Sequence, residues 1–142
     1  MKISEIMTKD VISLSVDDTV EHAAGLMKEH DIGSIPVNTN EKIVGIVTDR
    51  DIILRGVAEG KDLKIQKVRE IMTSNPVLGD ENLNVNDAAR IMSERQIRRL
   101  PIVSNNILVG MLSLGDLAVE PNLKQEASGA LSEISIPCTP NI

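Results

Sequence analysis

Glu5-Ile6-Met7-Thr8 and Glu70-Ile71-Met72-Thr73 are the same four residues set 65 positions apart. The match extends far beyond them. At that spacing Val20, Ala23, Ala24 and Met27 fall on Val85, Ala88, Ala89 and Met92, and Pro36 falls on Pro101. Val44-Gly45 falls on Val109-Gly110, and Asp51 on Asp116. From position 3 to 53, 15 of 51 pairs are identical without a gap, where ordinary residue usage matches roughly one pair in sixteen. The chain is an internal duplication.

Each copy carries the same order of signals. The apolar stretch Val11-Ile12-Ser13-Leu14 follows the Ile-Met-Thr turn and reads as a strand. Asp17-Asp18-Thr19 offers N-cap oxygens, with Glu21 completing a capping box on Asp18. Val20, Ala23, Ala24 and Met27 then recur at i, i+3, i+4 and i+7, the stripe of an amphipathic helix. Ser34-Ile35-Pro36-Val37 and Lys42 to Val47 read as two strands joined by the Asn38-Thr39-Asn40-Glu41 turn. Thr48-Asp49-Arg50-Asp51 opens a second helix through Ile52, Ile53 and Leu54. A βαββα unit of this size covers only one face of its sheet, so two copies packed sheet to sheet are expected. The copies divide the chain into 1–63, 64–120 and a tail, 121–142. Residues 55–67, with Gly56 and Gly60, read as a linker. The tail holds one helical stretch, Lys124 to Ile134, closed by Pro137 and Pro140, and no chemistry is assigned to it.

Composition removes several function classes. The 142 residues are 42% hydrophobic and 25% charged, which places the chain among globular proteins. Fifteen Lys and Arg against 21 Asp and Glu leave a net charge of −6, a poor balance for binding nucleic acid through its phosphates. No apolar run approaches the ~18 residues of a membrane span, and no charged-then-apolar leader opens the chain. A soluble, cytoplasmic protein without membrane contact is expected. The single cysteine, Cys138, builds no disulfide framework, and the sequence has no CxxC or HExxH for zinc. There is no Phe, Tyr or Trp, so a bound base would lie between aliphatic side chains. His22 and His30 are the only histidines. Both read as surface residues on a helix, with no metal role. The six methionines read as core filler. No nucleophile–base pair, metal cluster or Walker-type loop is present, so no catalytic activity is expected.

Ile-Met-Thr, the capped V-xx-A-A-xx-M helix, an apolar–Pro–apolar strand and then V-G-h-h-[T/S]-x-x-D (h, apolar) occur twice in register across residues 1–118. This pattern resembles a tandem pair of cystathionine β-synthase (CBS) domains, and in particular the stand-alone bacterial CBS-pair proteins. The resemblance implies one pseudo-twofold α/β module that binds an adenine nucleotide in clefts between the repeats. The ligand would be AMP, ADP, ATP or a related adenosyl compound such as S-adenosylmethionine. Such a module takes no catalytic cofactor, commonly pairs into a homodimer and passes its ligand state to a regulated protein. The rival readings are a ligand-free scaffold that modulates a partner by dimerisation, and a small nucleotide-processing enzyme.

Thr48-x-x-Asp51 and Ser113-x-x-Asp116 are the leading candidate contacts. A hydroxyl followed three residues on by an acid is also a capping box, which needs only local hydrogen bonds. A strand running straight into a helix exposes backbone N–H groups that suit a phosphate. The hydroxyl can bond the same phosphate, and the carboxylate can take both hydroxyls of a ribose. Family resemblance assigns those roles, phosphate to Thr48 and Ser113 and ribose to Asp51 and Asp116. It also implies that residues just before the proline of one copy face the T-x-x-D of the other, which would set Arg98 and Arg99 near Thr48 and Asp51. Their counterparts, Gly33 and Ser34, carry no charge, so unequal clefts are expected, with the Thr48 cleft preferring highly charged ligands. Arg50 is either a further phosphate contact or a surface partner of Asp49. By resemblance, backbone groups of Ser34, Ile35 and Pro36, and of Leu100 and Pro101, read the adenine edge. Val11, Ile12 and Val77 would supply the aliphatic walls. Gly45 and Gly110 sit inside strands, where glycine weakens pairing unless a bulge or a close backbone approach requires it.

Overall fold

The computed structural model describes residues 1–137. Cys138 and Pro140 lie outside the described residues. The chain is mixed α/β and forms two compact units, residues 12–76 and residues 1–11 with 77–142. They are called here the middle unit and the terminal unit.

In the middle unit, β1 (Leu14–Ser15) pairs parallel to β2 (Ser34–Thr39), which pairs antiparallel to β3 (Lys42–Thr48). α1 (Val20–His30) crosses from β1 to β2 and buries Val20, Ala23 and Met27, the stripe predicted from spacing. Its cap is shifted by one residue: Thr19, not Asp18, is the N-cap and accepts the His22 N–H at 3.1 Å. Asp18 instead accepts the Ser15 N–H, closing the turn before the helix. Only the end of Val11–Leu14 becomes strand, because pairing with β2 begins at Leu14 opposite Val37. α2 (Asp49–Asp51) runs into a π-helical turn, Ile52–Val57, so the second helix of this copy is continuous but widened. The stretch read as a linker is tied down. Glu21 N–H donates to Leu63 O and Val20 N–H to Gln66 O, while the Gln66 amide donates to Arg55 O. Gly56 is buried, and a Cβ there would stand 2.8 Å from Leu63 Cδ2.

The terminal unit repeats the plan. β5 (Gly79–Asp80) pairs parallel to β6 (Arg99–Ser104), which pairs antiparallel to β7 (Ile107–Ser113). α3 (Val85–Arg95) is capped by Asn84 and buries Val85, Ala88, Ala89 and Met92. α4 (Leu114–Ala118) follows β7 directly. This unit adds α5 (Lys124–Ile134), on the bounds the sequence suggested. Leu123, Ala127 and Ala130 bury its inner face, and the Gln96 amide holds its end by donating to Glu133 O and Ile136 O.

The Ile-Met-Thr segments are exchanged between the copies. The second copy's segment completes the middle unit, where Thr73–Ser74 forms β4 against Gly45 and Ile46 of β3. Val68 and Ile71 are fully buried there with Val20, Ile35 and Val47. Arg55 reinforces this seat by donating to Ile71 O at 2.9 Å and Met72 O at 3.3 Å. The first copy's segment completes the terminal unit: Thr8 bridges Met111, and Ile3 is fully buried with Val85, Leu100 and Leu117.

The exchange accounts for both strand glycines. A Cβ on Gly110 would collide with Met7. A Cβ on Gly45 would lie 2.5 Å from Met72 Sδ and 3.0 Å from Thr73 O. Each glycine stands opposite a register shift, between Val37 and Asn38 or between Ile102 and Val103, so bulge and close approach coincide. Gly45→Ala is therefore expected to destabilise by about 1–3 kcal/mol, the usual cost of overpacking. Shortening Met72 to Ala makes room for the added methyl, so a urea-melt cycle over both positions should be clearly non-additive. Additivity would show that Met72 is not what fixes glycine at 45.

Candidate functional site

The two T-x-x-D turns form the same closed box. In the middle unit Asp51 N–H donates to Thr48 Oγ1 at 3.1 Å, and Thr48 N–H donates to Asp51 Oδ2 at 2.9 Å. In the terminal unit Asp116 N–H donates to Ser113 Oγ at 3.0 Å, and Ser113 N–H to Asp116 Oδ2 at 2.9 Å. All four residues are half-buried. The capping reading is thus correct as geometry, and it leaves chemistry to spare. Each hydroxyl accepts in the box and keeps its own proton to donate. Each carboxylate uses one oxygen, and the other makes no hydrogen bond among the described residues. The box orients both groups without consuming them.

Beyond the box the turns differ, because residues 49 and 50 differ from 114 and 115. In the middle unit every first-turn N–H is engaged: Asp49 donates to Gly33 O at 2.9 Å, Arg50 to Asp49 Oδ1 at 2.8 Å, and Asp51 to Thr48. The expected free N–H groups are absent from this turn. The Asp49 carboxylate also crowds Gly33, where a Cβ would meet Oδ2 at 2.9 Å. Asp49 thus bonds the Arg50 backbone, and neither Asp49 nor Arg50 has an ion-pair partner among the described residues. In the terminal unit Leu114 N–H donates to Arg98 O at 2.8 Å. With Leu114 in place of an acid, Gly115 N–H makes no hydrogen bond among the described residues. Arg99 stands in register opposite Ser113. Arg98, Arg99 and Ser113 line one pocket with Gly115 and with Lys124, Ala127 and Ser128 of α5. The charge that separates the two turns within their units is therefore acidic at Thr48 and basic at Ser113.

The remaining predicted residues are placed as follows. Ser34 is in register opposite Thr48, and its Oγ is buried with no hydrogen-bond partner among the described residues. Ile35 and Leu100 are fully buried in their cores, which leaves only their main chain for a ligand. Pro36 and Pro101 are buried third residues of β2 and β6, one position before the short parallel strands begin to pair. Val11, Ile12 and Val77 are half-buried. His22 and His30 are exposed, and no three of His, Cys, Asp or Glu converge into a metal-binding group among the described residues. Lys124 and Ser128, which line the pocket beside Arg98, escaped sequence reasoning. A lone lysine and serine on a tail helix carry no motif, and only the packing of α5 brings them there.

A family model for the CBS domain matches residues 3–57 and again 68–121. The chain belongs to the CBS domain family and carries two tandem CBS domains. It is 44% identical over 133 residues to the CBS domain-containing protein YhcV of Bacillus subtilis, covering 94% of each chain. Among solved structures it resembles Hypoxic Response Protein I with two coordinated zinc ions, at 31% identity and a TM-score of 0.77. That match covers 84% of this chain and 98% of the other. It also resembles CBSX2 in complex with AMP, at 27% identity and a TM-score of 0.71 over 88% of this chain and 98% of that one. No helix among the described residues is long and apolar enough to cross a membrane.

Proposed function

We propose that this chain is a regulatory module that binds an adenine nucleotide at its Thr48–Asp51 and Ser113–Asp116 turns and transmits the bound state to a partner protein or a second copy of itself. It performs no reaction of its own in this reading. The doubled turn carries the proposal: in each unit a hydroxyl proton and a carboxylate oxygen are held in place and left unused. A carboxylate so held accepts both hydroxyls of a ribose in charge-assisted bonds. The orphaned Ser34 hydroxyl beside Thr48 adds support, since a buried unsatisfied hydroxyl costs about 1–3 kcal/mol and a ligand would relieve it. The AMP complex of a structural neighbour points the same way. Exposed Ile53, Leu54 and Val57, on the π-helical turn that follows Asp51, favour association with another surface as the output.

The scaffold reading rests on the same boxes being complete as caps, and ligand binding separates the two. An adenine nucleotide at ~100 times its dissociation constant stabilises by about 2.7 kcal/mol. For a chain of this length the melting midpoint should rise by roughly 5–10 °C. No shift with millimolar AMP, ADP, ATP or S-adenosylmethionine would leave the scaffold reading standing. Because the chain has no Trp or Tyr, a 260 nm band on the purified protein reports co-purified nucleotide almost free of protein background.

A further inference from the structure

The family match ends at residue 121, and α5 begins at Lys124. This helix nevertheless faces the nucleotide turn of the terminal unit. Lys124, Ala127, Ser128 and Leu131 fall at i, i+3, i+4 and i+7, which puts them on one face. That face lines a pocket of about 560 Å³ opposite Arg98, Arg99 and the Ser113–Gly115 turn. The pocket is the phosphate end of the site already proposed, and α5 is the part of it that lies outside both CBS domains.

Lys124 is exposed and has no ion-pair partner among the described residues. A cation in the first turn of a helix opposes the helix dipole, and no side chain caps this start. The helix gains nothing from a lysine there. The pocket gains a third cation, in a lining that holds no Asp or Glu. The middle unit has no counterpart. Its residues after the second helix run instead to the start of α1, where Leu63 O and Gln66 O accept the Glu21 and Val20 N–H groups. Its turn carries Asp49 where the terminal unit has Leu114.

We propose that Lys124, with the Ser128 hydroxyl one turn further on, is a specificity-determining residue that selects nucleotides by phosphate number at the Ser113–Asp116 turn, favouring ATP and ADP over AMP. The inference rests on the nucleotide reading. Under that reading Asp116 takes the ribose, and the Ser113 hydroxyl and Gly115 N–H take the first phosphate. The later phosphates are the ones left for α5. Each adds negative charge and acceptor oxygens, and an ammonium group meets them as a compact charge with three donors. The Thr48 turn, with Asp49 and no such helix, gains nothing from a second or third phosphate. Selectivity for highly charged ligands thus falls to the other turn from the one that resemblance marked.

Calorimetric titration with AMP, ADP and ATP tests this in an Asp51→Asn chain, where the middle-unit turn is weakened and the terminal-unit turn dominates the signal. ATP should bind more tightly than AMP, and the margin should shrink as salt is raised. Adding Lys124→Gln should lower the ATP-to-AMP affinity ratio by about fivefold, with AMP affinity held within twofold. Lys124→Arg should restore most of the ratio. Melting midpoints should not move, because the side chain is exposed. The Ser128 amide resonance should shift more with ATP than with AMP. The proposal is overturned if ATP has no advantage over AMP, if Lys124→Gln leaves the ratio unchanged, or if it weakens both ligands alike. In each of those cases AMP still binds and the nucleotide reading stands; only a chain that binds none of the three sinks both.

Discussion

Asp116→Ala is expected to bind AMP at least tenfold more weakly than the natural chain at the terminal-unit turn, and Asp51→Ala to do the same at its own. A cis-diol on a carboxylate makes two hydrogen bonds to a charged acceptor, each worth about 1.5–3 kcal/mol. Since 1.4 kcal/mol is a factor of ten, partial compensation by water still leaves a loss of tenfold to a hundredfold or more. Each alanine also removes the acceptor for Thr48 or Ser113 N–H, which costs ~1 kcal/mol of stability as a lost cap. Asparagine separates the two effects. Its amide oxygen still accepts that N–H and preserves the box, while the charge that strengthens the ribose bonds is gone. Asp116→Asn should therefore melt close to the natural chain yet bind AMP weakly. If both variants bind AMP normally by calorimetry, the boxes are caps and nothing more.

Much of this fold was legible because duplication doubles every signal. Val20, Ala23 and Met27 alone would mark an ordinary amphipathic helix, but the same stripe at Val85, Ala88 and Met92 fixes the unit and its length. The T-x-x-D boxes were legible as well, since a hydroxyl and an acid three apart at a strand end can hardly avoid bonding each other's N–H. The exchange of the Ile-Met-Thr segments was not legible. A repeat boundary records where similarity restarts, whereas a compact unit records where apolar side chains meet, and Ile71 meets the first copy's core. Gly45 and Gly110 held the local hint, as strand glycines demanding close neighbours without naming Met72 or Met7. Nor could sequence show that Asp49 would turn back onto the Arg50 N–H. Charge counting treats that residue as surface decoration, yet it removes a donor from the turn that resemblance marked for highly charged ligands.

Ile71→Ala is the substitution expected to cost most, about 2–5 kcal/mol, and the cost should be charged to the middle unit. The side chain is fully buried, and truncating a buried isoleucine to alanine loses its transfer energy and leaves a cavity. Ile3→Ala should cost the same for the same reason in the terminal unit, where Ile3 is also fully buried. The size alone does not establish the exchange, because any core isoleucine behaves this way. Coupling does. Ile71 lies in one cluster with Ile35 of the first copy, and Ile3 lies with Leu100 of the second. Residues sharing a core cluster show interaction energies of about 0.5 kcal/mol or more, whereas independent sites add within about 0.3–0.5 kcal/mol. Combining Ile71→Ala with Ile35→Val should thus depart from additivity, and combining Ile3→Ala with Ile35→Val should not. The milder valine keeps each double variant folded, at a cost of about 0.5–1.5 kcal/mol for its own step. Guanidinium melts of the singles and doubles give both couplings. If Ile3, which belongs to Ile35's own copy, proved the coupled partner and Ile71 the additive one, each copy would keep its own segment and the exchange would be wrong.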